Sequence, residues 1–267
     1  EEAAKHQKAV WILDRPNPAG RPIEGMRLVS GWESFVGAGP LPMRHGLTMG
    51  ELANWFVKHF KLSVDLNIIN MEGYDPYKGP GFGWPSDLTW VNPSPNASNV
   101  SMTRCYAGTV MIEGTQFSEG RGTTRPLEVV GAPEINAEKI LKTMEKFAPQ
   151  WLDGARLRPC YFEPTFNKHA GRLCQGIQIH VDGPYYQHEK FKPYRLMALF
   201  FKAFRLLAPQ GAIWRSFPYE YENERLAIDI INGSSHLREW VDDPKSKVSD
   251  FEAMVVPDEK SWQEERE

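Results

Sequence analysis

The sequence predicts an α/β fold in two parts, a largely parallel, doubly wound sheet before residue 131 and a mixed α+β region after it. Short apolar runs that end in polar turns indicate buried strands, and segments with a helical spacing of apolar residues lie between them. The Gly131–Pro133 segment predicts a linker between the two parts. We therefore expect one domain over residues 1–130 and a second over residues 131–267.

In the first part, the pattern predicts three strands and one amphipathic helix. The strands are expected at Val10–Leu13, Leu66–Met71 and Thr109–Ile112. Thr48 and Glu51 have the spacing of a capping box, which places a helix over Thr48–Phe60. Residues 19–47 are rich in glycine and proline and have no clear period, so they predict an irregular surface segment.

In the second part, helices and strands are mixed. Asn136 is predicted to cap a helix that ends near Phe147, and a strongly apolar helix is expected at Pro193–Leu207. Strands are expected at Arg156–Phe166, Leu173–Val181 and Leu226–Ile231. In the second of these, apolar and polar side chains alternate, which predicts a strand with one polar face. Ser235 is expected to cap a last helix, and the charged tail after Ser261 is expected to fray.

Composition limits the classes of partner. The chain has 267 residues, 41% of them hydrophobic, and a formal net charge of −3. A slightly acidic chain without a basic run gives no electrostatic basis for binding nucleic acid. No apolar stretch approaches the roughly 20 residues that a membrane span needs. We therefore predict no nucleic acid partner and no membrane span.

Several signatures of common enzyme classes are missing from the sequence. It contains no glycine-rich nucleotide-binding motif, no HExxH zinc motif and no GxSxG elbow. The seven histidines and three cysteines do not have metal-ligand spacing, so we predict no metal and no cofactor. Cys160 and Cys174 lie on two predicted strands, and a disulfide between them stays open.

Residues 72–104 predict a long irregular segment that contains Trp84 and Trp90. A loop of this length in a compact protein is usually functional or disordered, and the aromatic residues argue against disorder. Tryptophan on an ordered loop can stack on a sugar ring, or it can fill a core. Both interpretations stay open.

The polar chemistry of the sequence is concentrated in EGTQFSEGRGTTRP, the segment Glu113–Pro126. A polar loop after a buried strand is where open α/β sheets place their ligands. Glu113 and Glu119 are two carboxylates of the kind that glycoside hydrolysis needs, and Arg121 and Arg125 could clamp a carboxylate of a substrate. Equally, Glu113 and Arg125 could form a buried structural ion pair.

Seven segments of the chain, in this order, closely resemble the NamZ family of exo-β-N-acetylmuramidases, long catalogued as a domain of unknown function. They are VWILDRPNP (10–18), PMRHGLTMGELA (42–53), WVNPSPN (90–96), EGTQFSEGRGTTRP (113–126), GAP (131–133), FEPTFNKHAGRLCQGIQIHV (162–181) and YEYENERLAIDIINGS (219–234). The resemblance covers nearly the whole chain.

The resemblance implies a bacterial, usually exported enzyme, periplasmic or extracellular. Such enzymes remove β-linked N-acetylmuramic acid from the non-reducing end of peptidoglycan fragments. Members combine a Rossmann-like domain, which uses no nucleotide, with an α+β domain, and the active site lies in the cleft between the two. By resemblance, residues 1–130 are the second half of the Rossmann-like domain and residues 131–267 are the C-terminal α+β domain.

Members of this family carry a further stretch before the RPNP motif. That stretch has a motif of the SPEHG kind, whose Glu is a candidate for catalysis, and nothing in this sequence matches it. Because Glu1–Gln7 also looks like the end of a helix already in progress, we expect a fragment of a longer chain, which could be inactive as it stands. The alternative is a non-catalytic muropeptide- or glycan-binding protein.

We expect the substrate to be a peptidoglycan-derived saccharide. The position of residues in the family motifs and their placement at strand ends together suggest which residues contact it. Glu119 is expected to be a catalytic or substrate-orienting carboxylate. Arg121, and with it Arg15, is expected to bind the lactyl carboxylate that distinguishes muramic acid from glucosamine. His45 and Asn96 are expected to hydrogen-bond the sugar or its acetamido group.

Three further residues are expected to support this site without touching the substrate. Asp14 and Glu113 are predicted to hold the arginines in place. Arg125 is assigned to the same supporting group.

Overall fold

The computed structural model of the protein describes residues 1–75, 84–85, 87–216 and 218–267. The strands among these residues are β1 (Val10–Leu13), β2 (Glu24–Arg27), β3 (Pro42–Arg44), β4 (Leu66–Ile69), β5 (Val129–Ala132), β6 (Arg156–Phe162) and β7 (Cys174–His180). The α-helices are α1 (Glu2–Lys5), α2 (Met49–His59), α3 (Val100–Thr109), α4 (Ala137–Phe147), α5 (Pro193–Leu207), α6 (Ala227–Asn232), α7 (His236–Asp242) and α8 (Val248–Arg266). Short 3₁₀ helices span Val110–Gly114 and Pro149–Leu152. The predicted α/β class is confirmed.

Strands β1 and β4 form a parallel pair, as predicted, with Val10 opposite Leu66 and Leu13 opposite Ile69. Parallel strands need a crossover connection, and α2 lies within this one. One face of the pair is open to solvent, since Trp11 and Leu13 are 62% and 66% exposed. Because the two strands are parallel, their carboxyl ends lie at the same edge of the sheet, which is where ligands bind in open α/β sheets.

Helix α2 begins with the predicted capping box. The Thr48 hydroxyl accepts a hydrogen bond from the Glu51 amide, and the Glu51 carboxylate accepts one from the Thr48 amide. Asp14, at the end of β1, accepts bonds from the Thr48 hydroxyl and the Gly50 amide, both at 2.8 Å. A carboxylate at a helix N-terminus is stabilised by the helix dipole. Asp14 therefore fixes α2 to the sheet.

The prediction of an irregular surface segment at 19–47 is wrong. Strands β2 and β3 pair antiparallel within it, and Glu24, Met26 and Arg44 are buried. Glu24 accepts hydrogen bonds from the amides of Tyr194 and Arg195, at 3.1 and 2.9 Å, and so caps the N-terminus of α5. Glu24 thus ties this strand pair to a distant helix, a contact that the local sequence pattern does not show.

The predicted strand at Thr109–Ile112 is also wrong. The run continues α3 into the 3₁₀ helix at Val110–Gly114, so Glu113 lies within that helix and not after a strand. Asn99 caps α3, and Gly108 lets α3 lie directly against α5, because a Cβ at Gly108 would collide with the Pro193 carbonyl. A four-residue apolar run does not distinguish a buried strand from a buried helix end.

Strands β5, β7 and β6 form an antiparallel sheet in that order. The predicted strands at Arg156–Phe166 and Leu173–Val181 are confirmed, and each is shorter than expected. Cys160 lies opposite Gly176 and Cys174 lies opposite Phe162, so the two cysteines are not paired across the strands, and both are free thiols.

The hydrophobic core lies on one side of this sheet. Helix α5 has the bounds that the sequence predicts and is buried along most of its length. Asn136 caps helix α4 as predicted, since its side chain accepts a hydrogen bond from the Lys139 amide. The predicted strand at Leu226–Ile231 is wrong: α6 occupies it, with Ile228 packed against Gly114. Gly233, in the left-handed conformation, ends that helix.

The expectation that the charged tail frays is wrong. Helix α7 begins after Ser235, whose side chain makes no capping bond, and α8 follows it. Phe251, Val255 and Trp262 of α8 are fully buried. The Arg195 guanidinium pairs with two carboxylates of α8, Glu252 at 2.7 Å and Glu259 at 2.5 Å. Apolar packing and buried charge therefore hold the tail against the core.

The segment predicted as irregular at 72–104 is described only in part, because residues 76–83 and 86 lie outside the described residues. The prediction is wrong for residues 100–104, which form the first half of α3. The rings of Trp84 and Trp90 meet edge to face at 5.3 Å, and each indole donates to a carbonyl of its own segment. Trp90 also packs on the small cluster of Ala97, Met102 and Leu127. These contacts favour the core-filling interpretation.

Strand β5 spans the predicted boundary between residues 130 and 131. The prediction of a linker at Gly131–Pro133 is therefore wrong, because Gly131 and Ala132 pair with β7. The division of the chain into two domains stays a prediction. None of the helices in the described part of the chain is long and apolar enough to cross a membrane.

Candidate active site at the Glu113–Pro126 loop

The loop that the sequence singled out closes on itself at the start of β5. The Leu127 amide donates to the Glu119 carbonyl at 2.8 Å, and Ser118 exchanges backbone hydrogen bonds with Gly131. Gly120 and Gly122 both have left-handed φ angles, of 72° and 79°. A Cβ at Gly122 would collide with the Thr165 hydroxyl. Glycine is therefore required where the loop turns tightly against the segment after β6.

Arg121 bridges the two carboxylates that the sequence placed in this loop. Its Nη2 donates to Glu113 Oε1 at 2.5 Å, and its Nε donates to Glu119 Oε1 at 2.7 Å. Tyr219, from the YEYENERLAIDIINGS segment, donates its hydroxyl to Glu113 Oε2 at 2.9 Å. The structure thus brings together three of the predicted site residues and adds one that the sequence did not single out.

The alternative ion pair between Glu113 and Arg125 does not form. Arg125 Nη1 lies 3.0 Å from Glu128 and 3.0 Å from Asp182. Glu113 instead holds Arg121, as expected for a supporting residue. Arg125 supports the base of the loop, because Glu128 also accepts from the cap residue Asn99 of α3.

Glu119 is buried, with 1% of its side chain exposed, and it has a second cation beside it. Lys168 Nζ lies 2.9 Å from Glu119 Oε2, although Oε2 receives no well-aligned hydrogen bond from the described residues. The same ammonium donates to the carbonyls of Ile112 and Thr115, at 2.7 and 3.3 Å. We call the group Glu113, Glu119, Arg121 and Lys168 the charged cluster.

Sequence reasoning did not select Lys168 or Tyr219. Lys168 lies about fifty positions after Glu119, and its neighbours Asn167 and His169 both have positive φ angles that no local pattern announces. Its only signal is its place in the FEPTFNKHAGRLCQGIQIHV segment. Residues that meet only through tertiary structure cannot be paired from spacing alone.

The charges of the cluster keep Glu119 ionised. Burial raises the pKa of this carboxyl, but the Lys168 ammonium and the Arg121 hydrogen bond outweigh burial, so the pKa lies below its ordinary value. A general acid needs the opposite, a carboxyl whose pKa is raised towards neutrality. The geometry therefore fits an orienting or electrostatic role for Glu119 better than proton donation.

The remaining predicted residues do not join the charged cluster through any contact among the described residues. His45 Nδ1 accepts from the Leu47 amide at 3.1 Å, and burial lowers the pKa of this histidine to about 4. Asn96 is half-buried in the loop before α3, and Arg15 is exposed at the end of β1. Asp14 holds α2 and not the Arg15 side chain.

The described residues contain no group of three or more histidine, cysteine, aspartate or glutamate side chains that could hold a metal ion. The candidate site consists of two carboxylates and an arginine on one loop, with Lys168 brought beside them from a later segment.

Family comparison identifies the chain. The N-terminal family model of the exo-β-N-acetylmuramidase NamZ matches residues 1–101, and the C-terminal family model matches residues 104–267. The chain therefore belongs to the NamZ family.

A curated relative agrees with this assignment, and two solved structures share the fold. Peptidoglycan β-N-acetylmuramidase NamZ of Bacillus subtilis (strain 168) is 43% identical over 182 residues, which cover 67% of this chain and 42% of the relative. Two DUF1343 family proteins from Bacteroides fragilis NCTC 9343 superpose with TM-scores of 0.81 and 0.72, at 24% and 23% identity. Each superposition covers 99% of this chain and 66% of the Bacteroides protein, so this chain spans about two thirds of their length. These structures support the fold alone.

Proposed function

We propose that this chain acts in the hydrolysis of peptidoglycan fragments, as part of an exo-β-N-acetylmuramidase that releases N-acetylmuramic acid from the non-reducing end. The observation that carries the proposal is the charged cluster, built largely on the loop that contains the EGTQFSEGRGTTRP motif. The curated Bacillus relative carries the name of this activity, and the chain spans less than half of that relative's length. We also propose export, because peptidoglycan lies outside the cytoplasm.

In this proposal, Glu119 orients Arg121 and does not donate a proton. Two carboxylates fix the Arg121 guanidinium through Nε and Nη2, and its Nη1 has no partner among the described residues. Arg121 Nη1 then donates to the lactyl carboxylate, with Arg15 as a second ligand. A guanidinium held in this way is pre-organised, which reduces the entropy that substrate binding costs. His45 and Asn96 stay our proposed ligands of the sugar and its acetamido group.

A second candidate function is glycan binding without turnover. It is favoured by the ionised state of Glu119, because the cluster then lacks an acid that could protonate the leaving oxygen. The carboxyls of Glu24, Glu128 and Asp229 have raised pKa values through burial, but each is already engaged by an arginine.

The test is release of the chromophore from a chromogenic β-N-acetylmuramide, beside the matched β-N-acetylglucosaminide. We expect cleavage of the muramide alone, and we expect Glu119→Gln to lower the rate about a hundredfold, the cost of misplacing a binding group by about an ångström. The variant must first be shown to be folded by circular dichroism. Cleavage of both substrates at equal rates would contradict the proposal, and muramide binding without cleavage would favour the glycan-binding protein.

A further inference from the structure

The outer face of the β5–β7–β6 sheet carries a row of one apolar and two polar residues that the charged cluster does not use. Val129, Gln178 and Arg158 lie opposite one another on the three adjacent strands. The next residues along β7, Ile177 and Ile179, point the other way and are buried in the core. The alternation that predicted a polar face on this strand therefore describes a real surface of the sheet.

The Glu113–Pro126 loop folds over this surface and leaves a recess of about 310 Å³, which is within the size range of small-molecule sites. Arg158, Gln178 and Phe162 line it from the sheet, and Thr124 and Arg125 line it from the loop. The loop residues that line the recess follow Arg121 in the sequence by only a few positions. It combines an apolar ring with hydroxyl, amide and guanidinium groups.

The two arginines of the recess have different partners. Arg125 is neutralised by the carboxylates of Glu128 and Asp182. Arg158 donates through Nε to His180 Nε2 at 2.9 Å and through Nη2 to the Gln178 side-chain oxygen at 2.6 Å. Both acceptors are neutral, and the described part of the chain places no carboxylate within ion-pair distance of Arg158.

The state of His180 agrees with this charge distribution. Its Nε2 can accept from Arg158 only when the imidazole is neutral. Burial and the nearby Arg158 guanidinium lower the pKa of His180, although Asp182 opposes them. His180 therefore orients Arg158 without adding or removing charge at neutral pH, and Arg158 keeps an unpaired positive charge at the recess.

We propose that this recess is a binding site for the carboxylate of a muramic acid ligand, with Arg158 as the residue that selects acidic over neutral sugars. The assignment rests on the proposed function. Arg121 is shared by two carboxylates of the protein, so the net attraction for an anionic ligand comes from Arg158. Its Nη1 has no partner among the described residues and is available for a charge-assisted hydrogen bond, while Phe162 offers apolar surface to a sugar ring.

The carboxylate is either that of an amino acid attached to the lactyl group or the lactyl group itself. In the second case, Arg158 takes the place that the proposed function gives to Arg121 and Arg15. The experiment is isothermal titration calorimetry of the folded chain with N-acetylmuramic acid, N-acetylmuramoyl-L-alanine and N-acetylglucosamine. Arg158→Gln is compared with Arg156→Gln. Arg156 is the matched control, because it is an exposed arginine on the same strand whose guanidinium stacks on Tyr185 at 4.4 Å, and it does not line the recess.

We expect the unmodified chain to bind at least one of the two acidic ligands about tenfold more tightly than N-acetylglucosamine, and the tighter acidic ligand identifies the source of the carboxylate. Arg158→Gln should remove this preference, and Arg156→Gln should keep it. An unchanged preference in Arg158→Gln, or an equal loss in both variants, would overturn the proposal. Because binding is measured, a chain that prefers acidic sugars through Arg158 but cleaves none would refute the proposed function and leave the recess assignment standing.

Discussion

The strongest consequence of the charged cluster concerns stability, because Glu119 is a buried anion between two cations. Its side chain is 1% exposed, and Arg121 and Lys168 lie 2.7 and 2.9 Å from its oxygens. Glu119→Gln keeps the volume of the side chain, so it creates no cavity. It removes the negative charge, so Arg121 and Lys168 both lose an ionic partner. Breaking a buried ion pair by removing one partner costs about 3–5 kcal/mol. Since Lys168 and Arg121 are 13% and 18% exposed, we expect the lower end, about 3 kcal/mol.

The measurement is urea unfolding followed by circular dichroism, for Glu119→Gln, Lys168→Met and the double variant. Because the two side chains touch, the double variant should lose less than the sum of the single losses, by about 1–2 kcal/mol. Glu145→Gln, at an exposed position on α4, is the control and should change the free energy of unfolding by less than about 0.5 kcal/mol.

The pH dependence gives the same experiment a second readout. The folded pKa of Glu119 lies below the ordinary value of 4.5, so the unfolded chain takes up this proton first as the pH falls. The stabilisation is therefore fully present above about pH 4.5 and is lost as the pH falls through the lower folded pKa. The difference between the unmodified chain and Glu119→Gln should shrink in that range. A loss below about 1 kcal/mol at pH 7, or strictly additive single losses, would refute the reasoning.

Two further predictions concern His45 and the C-terminal helix. The pKa of His45 is lowered from 6.5 to about 4, so protonation of this histidine favours the unfolded chain, and stability should fall as the pH drops from 6.5 towards 4. His45→Gln should flatten this pH dependence in urea titrations, and an unaltered pH dependence would contradict the prediction. Trp262 is fully buried on α8, and its indole donates to the His45 carbonyl at 2.8 Å. Trp262→Ala should lower the free energy of unfolding by about 3–5 kcal/mol, while the exposed control Trp11→Ala should lower it by less than about 1 kcal/mol. Equal losses of unfolding free energy in the two tryptophan variants would mean that the C-terminal helix α8 does not pack against the core.

The elements that could be predicted are those whose signal is local. Helix α5 has an unbroken apolar face and a proline in its first turn, and its predicted bounds agree with the structure. The capping box of Thr48 and Glu51 is a contact between residues three positions apart, so the sequence contains all of it. The parallel pairing of β1 with β4 follows from two apolar runs that flank a helix.

The elements that were predicted wrongly are those whose conformation depends on distant partners. Thr109–Ile112 and Leu226–Ile231 are short apolar runs, which suit a strand or a buried helix equally. They pack on each other, since Ile228 lies against Gly114, and this contact is invisible in the pattern. The tail after Ser261 looks solvated by composition, yet Trp262 anchors it.

The same limit applies to the candidate site. The sequence identified Glu113, Glu119 and Arg121 because they share one polar loop. It missed Lys168 and Tyr219, which reach the loop from positions some fifty and a hundred residues further along the chain. A charged cluster assembled from two segments can be recognised in part from one of them, but its ionisation depends on both.

The central claim, that this chain serves the release of muramic acid, is tested most directly with a natural linkage. N-acetylmuramyl-β-1,4-N-acetylglucosamine and its all-glucosamine counterpart, N,N′-diacetylchitobiose, are each incubated with the folded chain, and the free sugars are quantified by mass spectrometry. We predict equal amounts of N-acetylmuramic acid and N-acetylglucosamine from the first disaccharide and no cleavage of the second. Cleavage of both disaccharides, of the chitobiose alone or of neither would contradict the account.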